Sequence, residues 1–370
     1  MKKILNFAFV ALLFSCSTDK EIKTINVSFP EAGTNFISWL DIFPDIEMIS
    51  LSGEQAPMLG SSCNLFVHDN IYYVADPFNT EKMYRFDQNG KFLNSIGSQG
   101  RGPEEYTTIN DVLVDEQGNI VVYPYGEGVL VIYSPDGKFL EKREQPHRFQ
   151  KYFVHNGFNY YYVGIYTGQD YQLYVTDDNG QAIGEFLPQY SSVPTSMPNA
   201  QTFSLFDDVV NFCPTYGNEI SRLQGDKMEV KYRFDFGRYN IPDEFYKLDR
   251  TDLISFFSSN SMAHLDAFYE SKHCAVLQVM IQGAVELDPI FAVGVLDKRR
   301  DVWKWFNVDW KTDFVFFPHF YFDEEHAYFM ASAELMREVS GLIERFPLLN
   351  TVTEGNDTVI LKCETKNIKL

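Results

Sequence analysis

The sequence predicts an all-β fold: a six-bladed β-propeller of four-stranded antiparallel blades, closed by an N-terminal strand and carrying one or two helical insertions. Three observations point there. Turn motifs recur at about 45 residues, the length of one four-stranded blade. Paired runs rich in Val, Ile, Tyr and Phe precede them, as half-buried strands require. Strand-like runs near both ends of the chain are available to complete one sheet.

The turn markers are the clearest elements. Asp87-Gln88-Asn89-Gly90 leads into Lys91-Phe92-Leu93, Ser134-Pro135-Asp136-Gly137 into Lys138-Phe139-Leu140, and Asp177-Asp178-Asn179-Gly180 into Gln181-Ala182-Ile183. Asn-Gly and Asp-Gly supply the positive φ angles of tight hairpins. Weaker hairpins follow at 224–227 and 297–300. The strand pairs are 64–68 with 71–75, 111–115 with 119–123, 152–155 with 159–163, 203–206 with 208–212, 267–270 with 274–281, and 319–323 with 326–331. No helical period separates strands before residue 240, which excludes a parallel α/β arrangement.

These make six units, and the last contains only three strands. Its outer strand is expected from Glu47-Met48-Ile49-Ser50-Leu51, paired with 358–363, which closes the ring and hides an exposed edge. Two stretches interrupt the repeat. The first, 241–262, has a helix start at Pro242-Asp243-Glu244. The second, 333–346, places Leu335, Met336, Val339, Leu342, Ile343 and Phe346 on one helical face, with Gly341 weakening it and Pro347 ending it.

The chain of 370 residues has a formal charge of −20, a field that repels phosphate backbones and argues against nucleic acid or a basic membrane patch. Cys63, Cys213, Cys274 and Cys363 form no CxxC pair or Cys/His cluster, so structural zinc is not expected. They read as free buried cysteines, with a Cys63–Cys363 bridge as the alternative. Lys2 and Lys3 precede an apolar run, 4–14, that is too short to span a bilayer and reads as a secretory signal. Its ending, Leu13-Phe14-Ser15-Cys16, resembles the lipobox of bacterial lipoproteins. That resemblance implies removal of residues 1–15, acylation of Cys16 and a lipid tether to the cell envelope. Residues 16–45 then form a spacer and lead-in, flexible to about residue 26. Asp19-Lys20-Glu21 resembles the acidic export signal that follows the lipid cysteine in Bacteroidetes surface lipoproteins.

Ile96-Gly97-Ser98-Gln99-Gly100-Arg101-Gly102-Pro103-Glu104-Glu105-Tyr106, followed by Asp111-Val112-Leu113-Val114-Asp115, resembles the signature of six-bladed β-propeller lipoproteins of Bacteroidetes, distant relatives of NHL-repeat propellers. The stretch from Asp76-Pro77 through Tyr84-Arg85-Phe86-Asp87 fits the same pattern. The resemblance implies a fold and an address, and carries over no catalytic residue.

Blade topology places the hairpins between strands one and two, and three and four, on one face. The longer loops share the other face, where binding residues usually sit. That rim is expected to present Arg101, Glu105, Tyr106, Tyr125, Arg148, Tyr166 and Tyr216, a mixture of aromatic planes and charges suited to a carbohydrate, a peptide or an envelope protein. A structural pairing of Arg101 with Glu104 or Glu105 is the plainer reading. Glu104 and Glu105 are adjacent and point apart in an extended loop, a poor acid/base pair. Gly97, Gly100 and Gly102 lack the strand–turn–helix setting of a phosphate loop. No cofactor is expected, although an axial calcium ion held by carboxylates of several blades stays open. The rival function is enzymatic, since six-bladed propellers include calcium-dependent lactonases and sugar lyases with chemistry at the axial channel. Channel-facing Asp, Glu, Asn and His would favour the enzyme. The apolar inner-strand residues Leu65, Val67, Val112, Val114, Phe153 and Phe320 favour a binding module.

Overall fold

The structure, a computed structural model, describes residues 22–31, 33–60, 62–124, 126–164, 169–189, 200–248, 252, 255–256, 259–282, 290–308, 320–352 and 358–370. The chain opens with β1 (Thr24–Asn26), helix α1 (Trp39–Ile42) and β2 (Ile46–Ser50). Blade 1 is β3 (Asn64–His68), β4 (Ile71–Asp76), β5 (Lys82–Phe86) and β6 (Phe92–Ile96). Blade 2 is β7 (Asp111–Val114), β8 (Ile120–Tyr123), β9 (Val129–Tyr133) and β10 (Phe139–Glu144). Blade 3 is β11 (Lys151–His155), β12 (Phe158–Tyr162), β13 (Tyr171–Asp177) and β14 (Ala182–Pro188). Blade 4 is β15 (Phe203–Phe206), β16 (Val209–Phe212), β17 (Glu219–Gln224) and β18 (Lys227–Asp235). Blade 5 is β19 (Met262–Glu270), β20 (Cys274–Gln282), β21 (Ile290–Asp297) and β22 (Val302–Asn307). Blade 6 is β23 (Phe320–Phe322), β24 (His326–Ser332), β25 (Thr358–Glu364) and, outermost, β2. The predicted six-bladed propeller is the observed fold; His319 of the predicted sixth pair lies outside the described residues.

Each blade buries both faces, because one apolar cluster fills each junction between successive blades. This is why β4, β8, β12 and β16 read as nearly continuous apolar runs rather than alternating ones. Aromatic side chains act as wedges in these junctions. Tyr123 and Phe149 stack at 3.9 Å between blades 2 and 3, and Phe234 meets Trp303 edge-on at 5.4 Å between blades 4 and 5.

Closure occurs as the sequence suggests. β2 runs antiparallel to β25 from Ile46↔Cys363 to Ser50↔Val359. Leu51 N donates to Thr358 O at 3.0 Å, and Glu364 N to Asp45 O at 3.0 Å. The Asp87–Gly90 turn of blade 1 then locks onto this strand. Gly90 has φ of 80°, and a Cβ there would lie 2.1 Å from the Ser50 carbonyl oxygen. Only glycine satisfies both conditions.

Three expectations need correction. In the lead-in the described residues from 22 onward carry a strand and a helix, so it is not a flexible spacer as far as residue 26. β1 adds to blade 4 as a fifth strand, parallel to β18, with Thr24↔Arg233 through Asn26↔Asp235. Ile25, Val27 and Phe29 alternate inward onto the junction of blades 4 and 5, a period-two signal hidden in a short polar stretch. Trp39, Ile42 and Phe43 are buried, with Trp39 at 5.1 Å from Phe320. Cys16 lies outside the described residues.

The second correction concerns turns. In the Asp87, Ser134 and Asp177 turns only the glycine takes positive φ, and the ladder shifts register beside it, the signature of a bulged loop. Asp87 and Asp177 hold the turn by accepting from the amides two and four residues on, at 2.8–3.0 Å. Two consecutive positive φ angles occur instead in the hairpins between first and second strands, at Asp69-Asn70, Asn156-Gly157 and Asp207-Asp208. The third correction concerns the insertions. Within 241–262 a 3₁₀ turn spans Phe245–Lys247, residues 252, 255–256 and 259 are helical, and β19 already begins at Met262. The 333–346 helix is two helices, α2 (Ala333–Glu338) and α3 (Leu342–Arg345), broken by Gly341 at φ 84°; Leu335 and Val339 face solvent. The four downstream cysteines are free and buried, so no Cys63–Cys363 bridge forms.

Replacing buried Ile49 of the closing strand with Ala should cost about 2–5 kcal/mol in denaturant unfolding, as for other buried Ile-to-Ala changes. The exposed outer-strand Val302→Ala should move stability by less than about 0.5 kcal/mol. Equal effects would contradict closure through β2.

Candidate functional site

The first strands of the blades converge on the axis and enclose a cavity of about 510 Å³. β3, β7, β11, β15 and β23 line it along their length, with Tyr269 from β19. Its middle is apolar: Phe66, Val114, Phe153, Phe206 and Phe320 form the wall, and Leu205 is 40% exposed into it. An aliphatic residue that open on an inner strand marks space that the protein's own side chains leave unfilled.

The two ends differ. Each first strand runs from the loop-rich face to the tight-turn face, so Asn64, Asp111 and Lys151 stand at the loop-rich end. There Asp111 ties blade 2 to blade 3. One oxygen meets Lys151 Nζ at 3.0 Å and the other accepts from Tyr152 N at 3.0 Å. The Lys151 ammonium has no other partner among the described residues, and Lys151 lines the cavity. At the tight-turn end the cavity meets His68, Asp115, Glu116, His155, Asp207, Asp208, Asp323 and Glu324.

Most of these carboxylates are engaged within the fold. Asp115 accepts from Gln117 N and Asn119 N at 2.9 and 2.7 Å, and Asp323 from Glu325 N and His326 N at 2.8 and 2.7 Å. Glu324 pairs with Lys272 at 2.9 Å. His155 clasps three blades: Nδ1 lies 2.7 Å from Glu116 and Nε2 3.0 Å from Asp208. His68, at the equivalent position of blade 1, rests against Gly118 of blade 2. The repeat position of these two histidines is the sequence signal for an inter-blade role. Behind the Phe206 wall, buried Glu270 is held by Lys298 at 2.7 Å, by Asn211 at 3.1 Å and by Lys231. Burial pushes Lys231 below the usual lysine range, against the pull of Glu270. Among the described residues no three His, Cys, Asp or Glu side chains come together as a metal-binding group.

Among the described residues, the predicted rim side chains are not brought together at the cavity. Tyr106 is buried, donates to Glu81 O at 2.8 Å and meets Tyr133 edge-on at 6.1 Å; burial pushes its phenol far up. Gly97 has φ of 76°, and a Cβ there would sit 2.5 Å from the Tyr106 ring. The Gly-rich loop is therefore folded around this tyrosine. Glu105 turns inward and accepts from Gly102 N at 2.7 Å. It is a structural brace, but its partner is backbone rather than Arg101. Tyr216 is buried against Phe245 at 5.1 Å and His264 at 5.4 Å, because the 241–262 insertion covers it. Arg101 and Arg148 are exposed and do not line the cavity. Tyr125 and Tyr166 lie outside the described residues.

Sequence reasoning missed two features. The loop-rich face of blade 1 carries Phe78 and Met58, 80% and 68% exposed. Buried Asp76 fixes their loops by accepting from Gly60 N, Asn79 N and Thr80 Oγ1 at 3.1–3.2 Å, and Asn79 Nδ2 donates to Met58 O at 3.1 Å. His264 is buried with neither ring nitrogen hydrogen-bonded among the described residues, and burial lowers its pKa to about 4.

A family model described as "Domain of unknown function (DUF4934)" matches residues 24–362, so the chain belongs to that family. No curated protein matches. The fold is similar to that of a Bacteroides fragilis protein described as a "Putative exported protein", at 17% identity and a TM-score of 0.74, over 94% of this chain and 100% of that one. It is also similar to a member of the duf4221 family from Bacteroides vulgatus, at 12% identity and a TM-score of 0.58, over 89% and 98%. Virginiamycin B lyase from Staphylococcus aureus is more distant, at 11% identity and a TM-score of 0.44, over 86% and 99%. At these identities the two Bacteroides likenesses show the fold alone.

Two outcomes follow from this geometry. Tyr106→Ala should lose roughly 3–5 kcal/mol of stability, the cost of emptying a large aromatic site, as read by denaturant unfolding. A stable variant would return Tyr106 to the surface. His264 gives a pH dependence. Its folded pKa lies below the ordinary value of 6.5, so the unfolded chain binds the extra proton between pH 6.5 and 4. Stability is thus complete above pH 6.5 and falls by roughly 3 kcal/mol toward pH 4 through this residue. His264→Phe should flatten that window in urea melts; an unchanged slope would show that the imidazole stays solvated.

Proposed function

We propose that this DUF4934 member is an exported, lipid-anchored binding module of the cell envelope, which receives a carbohydrate, a peptide or a side chain of a partner protein in its axial channel. The observation that carries this reading is the cavity of about 510 Å³, within the range of small-ligand sites. Its wall is preformed by rigid strands, so binding needs little ordering of the protein. Phe66, Phe153, Leu205 and Phe206 offer apolar contact for an aromatic ring, an aliphatic side chain or the flat face of a sugar. Lys151, at the loop-rich end, supplies a cation for a carboxylate or hydroxyl. The engaged carboxylates at the other end hold turns and blades together, which supports binding over acid/base chemistry at that mouth. Export and lipid attachment rest on the basic start, the short apolar run and Cys16.

The channel can be tested with 1-anilinonaphthalene-8-sulfonate, an anionic aromatic probe that brightens in apolar cavities. The native protein should bind it saturably. Leu205→Trp, which fills the cavity from an already open position, should reduce that fluorescence several-fold without lowering the melting temperature. Equal probe binding in a stable Leu205→Trp protein would place the site elsewhere.

A further inference from the structure

We propose that the protein rests on the bilayer by the tight-turn edge of blades 4 and 5, with its loop-rich face directed away from the lipid. This rests on the reading of Cys16 as the acylated residue. The argument begins with β1. It pairs parallel to β18, the fourth strand of blade 4, which runs from the tight-turn face toward the loop-rich face. The chain therefore approaches Thr24 from the tight-turn side. Lys23 confirms the direction: its ammonium meets Asp301 at 3.2 Å, in the tight turn between β21 and β22.

The reach is short. Eight residue steps separate Cys16 from Thr24. Even fully extended they cover at most roughly 28 Å. Thr24 is level with Arg233, six residues and roughly 20 Å from the tight-turn end of β18 at Lys227, so at most roughly 8 Å of that reach can extend past this edge. Little remains beyond the edge, and an acylated Cys16 holds this edge within about 10 Å of the headgroups.

The two turns at this edge, 224–227 and 297–301, carry four cations (Lys227, Lys298, Arg299, Arg300) against three acids (Asp226, Asp297, Asp301), in a chain of net charge −20. Lys298-Arg299-Arg300 is the one run of three consecutive cations in the sequence, and it lies in the turn that Lys23 reaches. Lys298 turns inward to Glu270, and Arg299 and Arg300 pair with buried Asp297 at 3.4 and 3.6 Å while the side chain of Arg300 stays 64% exposed. Lys227, in the neighbouring turn of blade 4, is exposed as well. Cations of this kind favour anionic, phosphate-bearing headgroups close to the surface. On the far side, Met58 and Phe78 and the loop-rich mouth of the channel then face the aqueous compartment, where a ligand arrives.

Fluorescence quenching tests the orientation. Cys63, Cys213, Cys274 and Cys363 are buried, so an added surface cysteine takes a thiol-reactive fluorophore selectively. Asp226→Cys, in the tight turn of blade 4, and Phe78→Cys, on the loop-rich face of blade 1, are each labelled in the full acylated protein. Each is placed in vesicles of phosphatidylethanolamine and phosphatidylglycerol containing lipids with nitroxide headgroups. The label at position 226 should be quenched several-fold more than that at 78. Equal or reversed quenching, in protein that floats with the vesicles, overturns the orientation alone. Protein that fails to float overturns the lipid anchor and the orientation with it.

Discussion

The pairing of β2 with β25 is the constraint on which the rest of the molecule depends. Every blade of a propeller buries both faces against its neighbours, so no blade is stable by itself and the junctions must form a complete circuit. Here the sixth sheet lacks its outer strand until the N-terminal segment supplies it. The two ends of a long chain are thereby fastened into one sheet, and the junction between blades 6 and 1 is sealed by Ile49, Leu51, Tyr72, Val74, Tyr328 and Ile360. The close approach of Gly90 to Ser50 extends the lock into blade 1. This is a loop closure of high contact order, entropically costly to make, and it is offset by apolar burial on both sides of the closing strand.

The same circuit explains the character of the channel. Because first strands are the narrowest part of each wedge-shaped junction, their side chains cannot all pack between blades, and some are left facing the axis. Apolar residues line the middle, while polar ones gather at the ends where strands become turns. There they join one blade to the next: Asp111 with Lys151, and His155 with Glu116 and Asp208. Glu270 goes further, drawing two lysines into a buried site behind the wall. A buried ion group of this kind adds little net stability, yet removing one member leaves uncompensated charge, so it specifies how blades 4 and 5 meet.

The two faces differ for reasons of chain economy. Hairpins on one face are two to five residues long and are held by Asx contacts, by positive φ angles or, at 271–273, by the Ser271 hydroxyl. The other face holds the loops between second and third strands and the crossings from an outer strand to the next inner strand, and these carry the length, the insertions and the exposed apolar pair Met58 and Phe78. N-terminal strand β1 enters along the edge of blade 4, and this gives the two faces distinct relations to whatever anchors the chain.

Fold, blade count and closing strand were legible in the sequence because each depends on local signals repeated many times. Turn glycines, apolar runs and their spacing state the same unit over and over, so degeneracy in any one blade does little harm. Side-chain placement was not legible. Tyr106 and Tyr216 have the composition of rim residues but are buried, because Gly97 and the 241–262 insertion fold over them. Glu105 faces inward because an amide three residues back lies within its reach. His264 and the cavity wall depend on which of several half-buried side chains the ring geometry turns toward the axis. Periodicity in one strand fixes which residues share a face. Only the angle between the six neighbouring sheets decides whether that face meets a neighbour, a cavity or water.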